Sequence, residues 1–373
     1  MKPERVIISG GGTGGHIFPA IAIANALRAL SPEIELLFVG ANGRMEMEKV
    51  PAAGYQIRGL EIQGINRQSL LKNLSLPWML IKSIRKARNI LREFNPDVAV
   101  GVGGYASGPL LYAASSLGIP TLIQEQNSYA GITNKQLAKK AALICVAYEG
   151  MERFFPAAKI RMTGNPIRNE LVQIEGKYQE ALDSFQLSGR RKTVLITGGS
   201  LGARTLNQCV LAGLETLVRA DVQIIWQCGS FYYDALMQEL DGKYGAHLRL
   251  FPFLHRMDLA YAAADLIVSR AGAGTISELC AVGKPVILIP SPNVAEDHQT
   301  KNAEALVNKK AAIIVKDAEA STKFLPTLLE QLNDFEKFQY LGQNIKALAR
   351  TGADEEIAKA VLELIQKKRG AHA

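Results

Sequence analysis

The sequence is poor in the residues that build disulfide scaffolds and metal sites. Its 373 residues include four cysteines and five histidines, with no C-x-x-C pair and no zinc signature. Scattered cysteines of this kind indicate buried thiols in a reducing compartment. No Asp-x-Asp pair is present either, and no metal site is predicted. The cysteines are Cys145, Cys209, Cys228 and Cys280.

Long apolar runs are also missing. No stretch of 18 apolar residues occurs, and residues 1–15 lack the apolar core of a secretory signal. A hydrophobic content of 48% with 21% charged residues indicates a globular, cytoplasmic protein long enough for two cores. The net charge of 43 − 35 = +8 allows an anionic partner such as nucleic acid, lipid headgroups or phosphates.

Glycine, by contrast, is abundant near the start. The stretch VIISGGGTGGH (residues 6–16) is an apolar strand followed by five glycines, a threonine and His16, and a helix-period pattern follows. The dinucleotide-binding pattern needs an acidic residue after the second strand, and the P-loop needs a lysine after the last glycine. Both are missing here. What remains is a helix N-terminus able to receive an anion or polar ligand, or else a tight packing turn.

The plan of this first unit recurs later in the chain. VLITGGSLGAR (194–204) repeats it, and residues 97–125 resemble residues 265–291. Continuous apolar strands alternating with helices indicate parallel sheets covered on both faces. We therefore predict an α/β chain of two doubly wound, Rossmann-like domains facing a ligand cleft. The predicted ranges are 1–163, 164–350 and a C-terminal helix in 351–373 that packs back on the first domain.

The second domain is richer in polar groups suited to an anionic ligand. Ser200 opens a helix in GGSLGA, and Ala273, Gly274 and Thr275 open another. Helix starts of this kind bind phosphate, although Ser200 can equally be a plain N-cap. Glu278, one turn further on, is either a partner for sugar hydroxyls or a residue that complements the helix dipole.

Seven motifs in one order amount to a resemblance. GGGTGGHIFPA, GGYASGP, QEQNSYAGITNK, GNPIR, GGSLGAR, AGAGTISE and DHQTKNA span residues 10 to 303. Together they resemble the MurG family of bacterial peptidoglycan glycosyltransferases. The resemblance implies a GT-B fold without a cofactor. It also implies inverting transfer of N-acetylglucosamine from UDP-N-acetylglucosamine to the 4-hydroxyl of the muramyl sugar of lipid I, which gives lipid II.

The same resemblance assigns binding residues. In the first domain, Thr13, Gly14, Gly15 and Asn127 are expected beside the donor sugar and the acceptor. His298 and Gln299 are expected to meet N-acetylglucosamine hydroxyls. Gln124 stands where many members carry histidine, so no basic role is carried over to it. The residues expected around UDP are Arg168, Ser200, Leu254 (through its backbone), Ala273, Gly274, Thr275, Ile276, Ser277 and Glu278.

Catalysis of such a transfer needs a base and a means of stabilising UDP as it leaves. A neutral imidazole suits proton removal near neutral pH, and we predict His16 as the base with Glu125 as the alternative. His16 can also be read as a structural helix-start histidine. The helix starts at Ser200 and Gly274, with Arg168, would stabilise the departing diphosphate.

One segment is suited to a membrane surface. Residues 67–92 carry seven basic and no acidic residues among leucines and Trp78. A basic stripe beside tryptophan and leucine is typical of a helix lying on an anionic membrane, although an amphipathic helix with a solvated basic face has the same pattern. We expect a peripheral enzyme on the cytoplasmic face of the plasma membrane. No nucleic-acid motif is present.

Rival functions differ in what they need from the chain. A soluble UDP-sugar epimerase on the same two-domain plan would bind the donor but would have no use for residues 67–92. A non-enzymatic, membrane-bound protein that binds a phosphorylated ligand would not need His16. A dehydrogenase is disfavoured because the acidic residue after the second strand is missing.

Overall fold

The computed structural model describes residues 3–64, 76–199 and 201–370, which fall into two compact units. Unit 1 comprises Met1–Ile167 with Thr351–Ala373, and unit 2 comprises Arg168–Arg350. Ser200 and residues 65–75 lie outside the described residues. The prediction of a phosphate contact at Ser200, and the first part of the predicted membrane segment, therefore have no structural description here.

Unit 1 is an α/β unit around one parallel sheet. Its strands are β1 Arg5–Gly10, β2 Glu35–Ala41, β3 Gln56–Leu60, β4 Val98–Gly103, β5 Thr121–Glu125, β6 Leu143–Val146 and β7 Ile160–Met162. Its helices are α1 Gly14–Leu30, α2 Glu46–Ala52, α3 Leu76–Phe94, α4 Ser107–Ser116, α5 Ile132–Leu137 and α15 Ala353–Gly370. The strand order is β3-β2-β1-β4-β5-β6-β7, and each neighbouring pair is parallel.

Both faces of this sheet are buried, as the continuous apolar strands predict. Successive residues of β1 enter different cores: Ile7 packs with α3 and α4, whereas Val6 and Ile8 pack with α1 and α15. The last helix, α15, buries Ile357 and Val361 in the same core as α1. The α3/α4 core and the α1/α15 core thus cover opposite faces of one sheet.

Unit 2 repeats the plan with six parallel strands in the order β10-β9-β8-β11-β12-β13. The strands are β8 Thr193–Thr197, β9 Gln223–Gln227, β10 Leu248–Phe251, β11 Leu266–Ser269, β12 Val286–Leu288 and β13 Ile313–Ile314. The helices are α6 Asn169–Val172, α7 Tyr178–Phe185, α8 Arg204–Arg219, α9 Ser230–Leu240, α10 Met257–Ala263, α11 Ala273–Val282, α12 His298–Val307, α13 Ala320–Asn333 and α14 Phe335–Ala347.

Strand order places the glycine-rich loops. In unit 1 the order reverses between β1 and β4, and in unit 2 it reverses between β8 and β11. Ligands of open α/β sheets bind at such reversals, outside the carboxyl ends of the strands. The loops after β1, β4, β8 and β11 are the four glycine-rich loops of the sequence, so each unit presents two of them at its own reversal point.

Candidate active site

The first glycine-rich loop is held by a buried carboxylate from α2. Glu46, 1% exposed, accepts the N–H of Gly12 at 2.8 Å and the N–H of Ala41 at 3.0 Å. The loop can pass so close because Gly11 has no side chain: a Cβ there would overlap the Glu46 carboxylate. Gly12 adopts a φ of +84°, which glycine tolerates without strain. Glu46 thereby joins the loop after β1 to the end of β2.

His16, in the first turn of α1, is the candidate base at this loop. Its Nδ1 lies 2.7 Å from Oε1 of Gln126, and the ring is half-buried. Burial lowers the pKa of His16 below its usual 6.5, while the hydrogen bond with Gln126 opposes part of that shift. The imidazole is therefore neutral at neutral pH and can accept a proton. Gly103, with a φ of +108°, leaves room for the ring, since a Cβ there would lie 2.6 Å from Nδ1.

Glu125, the alternative base, has both carboxylate oxygens engaged. Oε1 accepts the backbone N–H of Asn127 at 3.1 Å and its side-chain amide at 3.3 Å. Oε2 accepts the N–H of Gly131 at 3.0 Å and the side-chain amide of Asn134 at 2.8 Å. A carboxylate that accepts several such bonds shapes the loop around it. Glu125 thus holds the 126–134 segment, Asn127 included, beside the carboxyl end of β5.

The first glycine-rich loop of unit 2 is tied to Leu254 through one amide. Gln227, which is 2% exposed, donates to the carbonyl of Gly199 at 3.0 Å and accepts the N–H of Leu254 at 2.8 Å. Gly199 and Gly202 both have positive φ, at +84° and +77°. Since the Leu254 N–H is already engaged, any further contact through its backbone falls to its carbonyl.

Glu278 on α11 is an acidic residue close to the predicted phosphate site, and its charge is compensated by a neighbouring arginine. Its Oε1 is 3.3 Å from Nη2 of Arg168, and the hydroxyl of Tyr261 lies 3.3 Å from its Oε2. Burial raises the pKa of Glu278, and the guanidinium of Arg168 opposes the rise. Arg168 compensates the carboxylate charge, so a phosphate nearby would meet a pair instead of a lone anion.

Five further residues that the sequence predicts as donor ligands lie in the first turns of α11, directly after the glycine-rich loop that follows β11. α11 begins at Ala273, with Gly274 and Thr275 in its first turn, and Ser277 donates to the carbonyl of Ala273 at 3.1 Å. Ile276 is 2% exposed, so its side chain belongs to the core.

Gln299 and His298 begin α12. Gln299 accepts the N–H groups of Ala271 at 3.1 Å and Ser291 at 2.8 Å, and so fixes the approach to α11. The Nε2 of His298 lies 3.9 Å from Glu296.

Within the described ranges, no group of three or more His, Cys, Asp or Glu side chains could hold a metal ion. None of the helices in those ranges is long and apolar enough to cross a bilayer.

Several residues of this arrangement carry no sequence signal. Gln126 lies inside a motif quoted above but is one of many polar residues there, and Glu46 is one of two acidic residues in its helix. Tyr261 and Gln227 read as core residues of a helix and a strand. A glutamine at or directly after the end of an apolar strand is the one pattern that could have drawn attention to Gln126 and Gln227.

Two doubly wound parallel sheets, each with glycine-rich loops at its reversal point, form the two-domain α/β architecture of GT-B glycosyltransferases, and the predicted fold is confirmed. Residues 6–146 match the N-terminal domain of glycosyltransferase family 28, and residues 193–362 match its C-terminal domain.

Relatives of higher sequence identity indicate a particular transferase within this family. The chain is 55% identical, over 99% of its length and 100% of the relative's, to the UDP-N-acetylglucosamine–N-acetylmuramyl-(pentapeptide) pyrophosphoryl-undecaprenol N-acetylglucosamine transferase of Parabacteroides distasonis. The crystal structure of Acinetobacter baumannii MurG covers 98% of the chain and is itself fully covered, with a TM-score of 0.79 and 31% identity. The chain belongs to this family of transferases, and the family resemblance found in the sequence is confirmed.

A solved UDP-N-acetylglucosamine 2-epimerase has the same architecture. It covers 97% of the chain, with 95% of its own length covered, a TM-score of 0.60 and 15% identity. At that identity the likeness concerns the fold alone. The epimerase alternative is therefore less well supported than the transferase.

Proposed function

We propose that the chain transfers N-acetylglucosamine from UDP-N-acetylglucosamine to undecaprenyl-linked N-acetylmuramyl-pentapeptide (lipid I), giving lipid II for peptidoglycan synthesis. The observation that carries the chemistry is the half-buried His16, which hydrogen-bonds to Gln126 at the reversal point of the unit 1 sheet and whose pKa is lowered by burial. Unit 1 serves the acceptor and unit 2 the donor. This division of labour rests on the residues each unit presents at its glycine-rich loops.

On the acceptor side, His16 takes the proton of the attacking hydroxyl. A sugar hydroxyl is a poor nucleophile until its proton is removed, and a neutral imidazole matches that task near neutral pH. The first N–H groups of a helix lack intrahelical partners, so α1 offers those of Gly14 and Gly15, beside Thr13, to oxygens of the sugars. Glu125 acts as a positioning residue that presents Asn127.

On the donor side, the start of α11, Ser200 and Arg168 stabilise the diphosphate as it leaves. Charge develops on UDP while the glycosidic bond breaks, and helix N-termini with a guanidinium are suited to that charge. Glu278 accepts hydrogen bonds from ribose hydroxyls, the carbonyl of Leu254 serves the base, and the amide nitrogen of Gln299 serves the sugar with His298 beside it.

The experiment that tests the function is transfer of labelled N-acetylglucosamine from UDP to a lipid I analogue, with and without acceptor. We expect product only when acceptor is present, with the anomeric configuration inverted. Consumption of the UDP-sugar at the same rate without acceptor would instead establish an epimerase or hydrolase and overturn the transferase.

Glu278→Gln is expected to weaken donor binding without destabilising the protein at neutral pH. Because the pKa of Glu278 is raised in the folded protein, its ionised form carries a cost that grows as pH rises through that pKa. The glutamine side chain of the variant is uncharged and does not carry this cost in stability. It also lacks the charged acceptor for the ribose hydroxyls, and we expect the Kd for the donor to rise by about 10- to 100-fold. Calorimetric titration with UDP-N-acetylglucosamine and thermal unfolding at pH 7 measure the two effects.

The exposed Glu215→Gln provides the matched control, because Glu215 pairs with Arg219 on the surface of α8. We expect it to change neither quantity. Unaltered donor affinity in Glu278→Gln would rule out the ribose contact.

We further infer that the enzyme is peripheral on the cytoplasmic face of the membrane and that α3 contributes to that contact. Ser83, Ala87, Ile90 and Leu91 form the buried face of α3. Trp78, which is 68% exposed, and the exposed Lys82, Arg85 and Lys86 lie away from it. An exposed tryptophan with basic neighbours suits the interface of an anionic bilayer.

Replacing Lys82, Arg85 and Lys86 together by glutamine is expected to lower affinity for anionic vesicles by roughly 100-fold, since each basic residue near such a surface contributes about 1 kcal/mol. Sedimentation with vesicles that contain anionic phosphatidylserine, compared with uncharged vesicles, measures this affinity. Lys359→Gln, on the exposed side of α15, is the control and should bind like the unaltered protein. Undiminished binding of the triple variant would exclude α3 as the contact.

A further inference from the structure

We propose that Gln126 is a positioning residue that selects the tautomer of His16, with the proton on Nδ1 and the lone pair on Nε2. The proposal rests on the proposed function for the role of His16 as the base. Its structural basis is a set of hydrogen bonds in which each donor and acceptor can be assigned from its neighbour. The test below separates the tautomer from the catalytic role.

The orientation of the Gln126 amide follows from its second partner. Its Nε2 lies 2.8 Å from the carbonyl oxygen of Val102, which can only accept a hydrogen bond. The NH₂ end must therefore face Val102, and the Oε1 end faces His16 at 2.7 Å. An amide oxygen can only accept, so Nδ1 of His16 must carry the proton.

Gln126 is itself prevented from turning. It is 3% exposed, and its backbone carbonyl accepts the side-chain amide of Asn165 at 3.0 Å. Asn165 in turn accepts the side-chain amide of Gln124 at 2.9 Å. These bonds fix the backbone at Gln126, while the Val102 carbonyl, which can only accept, holds the NH₂ end of the side chain and keeps Oε1 directed at His16.

The selected tautomer has the lone pair where the reaction needs it. The acceptor hydroxyl gives its proton to Nε2 as its oxygen forms a bond to the anomeric carbon. The bond from that carbon to UDP breaks, and UDP departs with the electron pair. The imidazolium keeps its Nδ1–H on Gln126 and then releases the Nε2 proton to water. In the opposite tautomer Nε2 carries a proton and cannot accept another.

A neutral amide in this place differs from the carboxylate that orients histidine in Ser-His-Asp triads. A carboxylate would stabilise the imidazolium and raise the pKa of His16, whereas glutamine orients the ring without adding charge. The charged groups that act on the ring are Glu125 on β5 and Glu46 on α2, and each raises its pKa. Burial outweighs them, so the pKa of His16 stays below its usual value.

The first test is Gln126→Met in the full-length protein labelled with ¹⁵N-histidine. Nitrogen–proton correlation spectra, assigned against His16→Ala, report the tautomer directly. In the unaltered protein at pH 8 we expect His16 as the Nδ1–H form. In Gln126→Met we expect that form to give way to the Nε2–H form, with kcat lower by about 10- to 100-fold and KM little changed. An Nε2–H form in the unaltered protein, or an unchanged tautomer in the variant, would overturn the proposal.

Gln124→Met is the matched control, because Gln124 is a buried amide of the same network that bonds to Asn165 and not to His16. In the Gln124→Met variant, the tautomer of His16 should be the same as in the unaltered protein. Equal loss of the Nδ1–H form in both variants would assign the effect to general packing and overturn the role of Gln126.

Gln126→Glu adds a readout that a structural role would not move. The carboxylate should raise the pKa of His16, so the acid limb of the kcat/KM profile should shift upward by about 1 to 3 pH units. A lower rate with an unmoved limb would contradict the proposal. If His16→Ala kept full activity, the base assignment would fail, while the spectra would still decide the tautomer.

Discussion

His16→Ala lowers kcat by about 10²- to 10⁴-fold, which is the range expected when a general base is removed. The KM for UDP-N-acetylglucosamine stays within a few-fold, because the donor contacts proposed for unit 2 do not involve this side chain. The physical reason is the position of His16: it is half-buried at the reversal point of the sheet, and burial lowers its pKa so that it is neutral at pH 7. Steady-state kinetics with a lipid I analogue measure the loss.

The pH profile of the unaltered enzyme follows from the same shift. A base works only when deprotonated, so activity falls as pH drops through the pKa of His16, below 6.5. His247→Ala is the control, since His247 bonds to the carbonyl of Val222 at 3.0 Å within unit 2. If His16→Ala kept more than about a tenth of kcat, the base would have to be another group.

Gly104→Ala is expected to disturb both stability and turnover. Gly104 has a φ of +91°, and a Cβ there would overlap the backbone carbonyl of Gly11. Backbone cannot move aside as a side chain can, so the loop after β1 must shift, and His16 with it. Positive φ and overpacking together suggest a loss of about 2 to 4 kcal/mol in the free energy of unfolding. Misplacement of the base suggests a loss of about 100-fold in kcat/KM.

Gly118→Ala separates the two causes. Gly118 also has a positive φ, +73°, but no atom lies within 4 Å of the Cβ position. The Gly118→Ala variant should therefore lose only about 1 kcal/mol of its free energy of unfolding, which is the cost of the backbone conformation, and its kcat/KM should be unchanged. Urea unfolding and kinetics on both variants distinguish clash from backbone strain. Equal losses of activity in the two would show that contact with Gly11 is not the reason.

Patterns local in sequence were enough to predict the fold class and to single out His16 and the helix starts at Ser200 and Ala273 as candidates. Apolar strands that run into glycine-rich helix starts predicted two doubly wound units, because both the strand period and the chemistry of glycine act over a few residues. His16 was a candidate for the same reason: it directly follows the glycines. The order of seven short motifs predicted the family, and the comparisons confirm it.

Only the tertiary structure decided which hydrogen-bond and ion-pair partners these residues have. The partners of His16 and Arg168 are each 110 positions away, and Glu46 reaches back 34 positions to Gly12. No local propensity encodes such pairs, because the order of the strands in each sheet brings the two residues together. Several other polar residues of the sequence could equally have been the partner. The sequence by itself determined which groups could act. The packing of the sheets determined that Glu125 shapes a loop, that Arg168 neutralises Glu278, and that Gln126 faces the imidazole, since these depend on distances that only the folded chain sets.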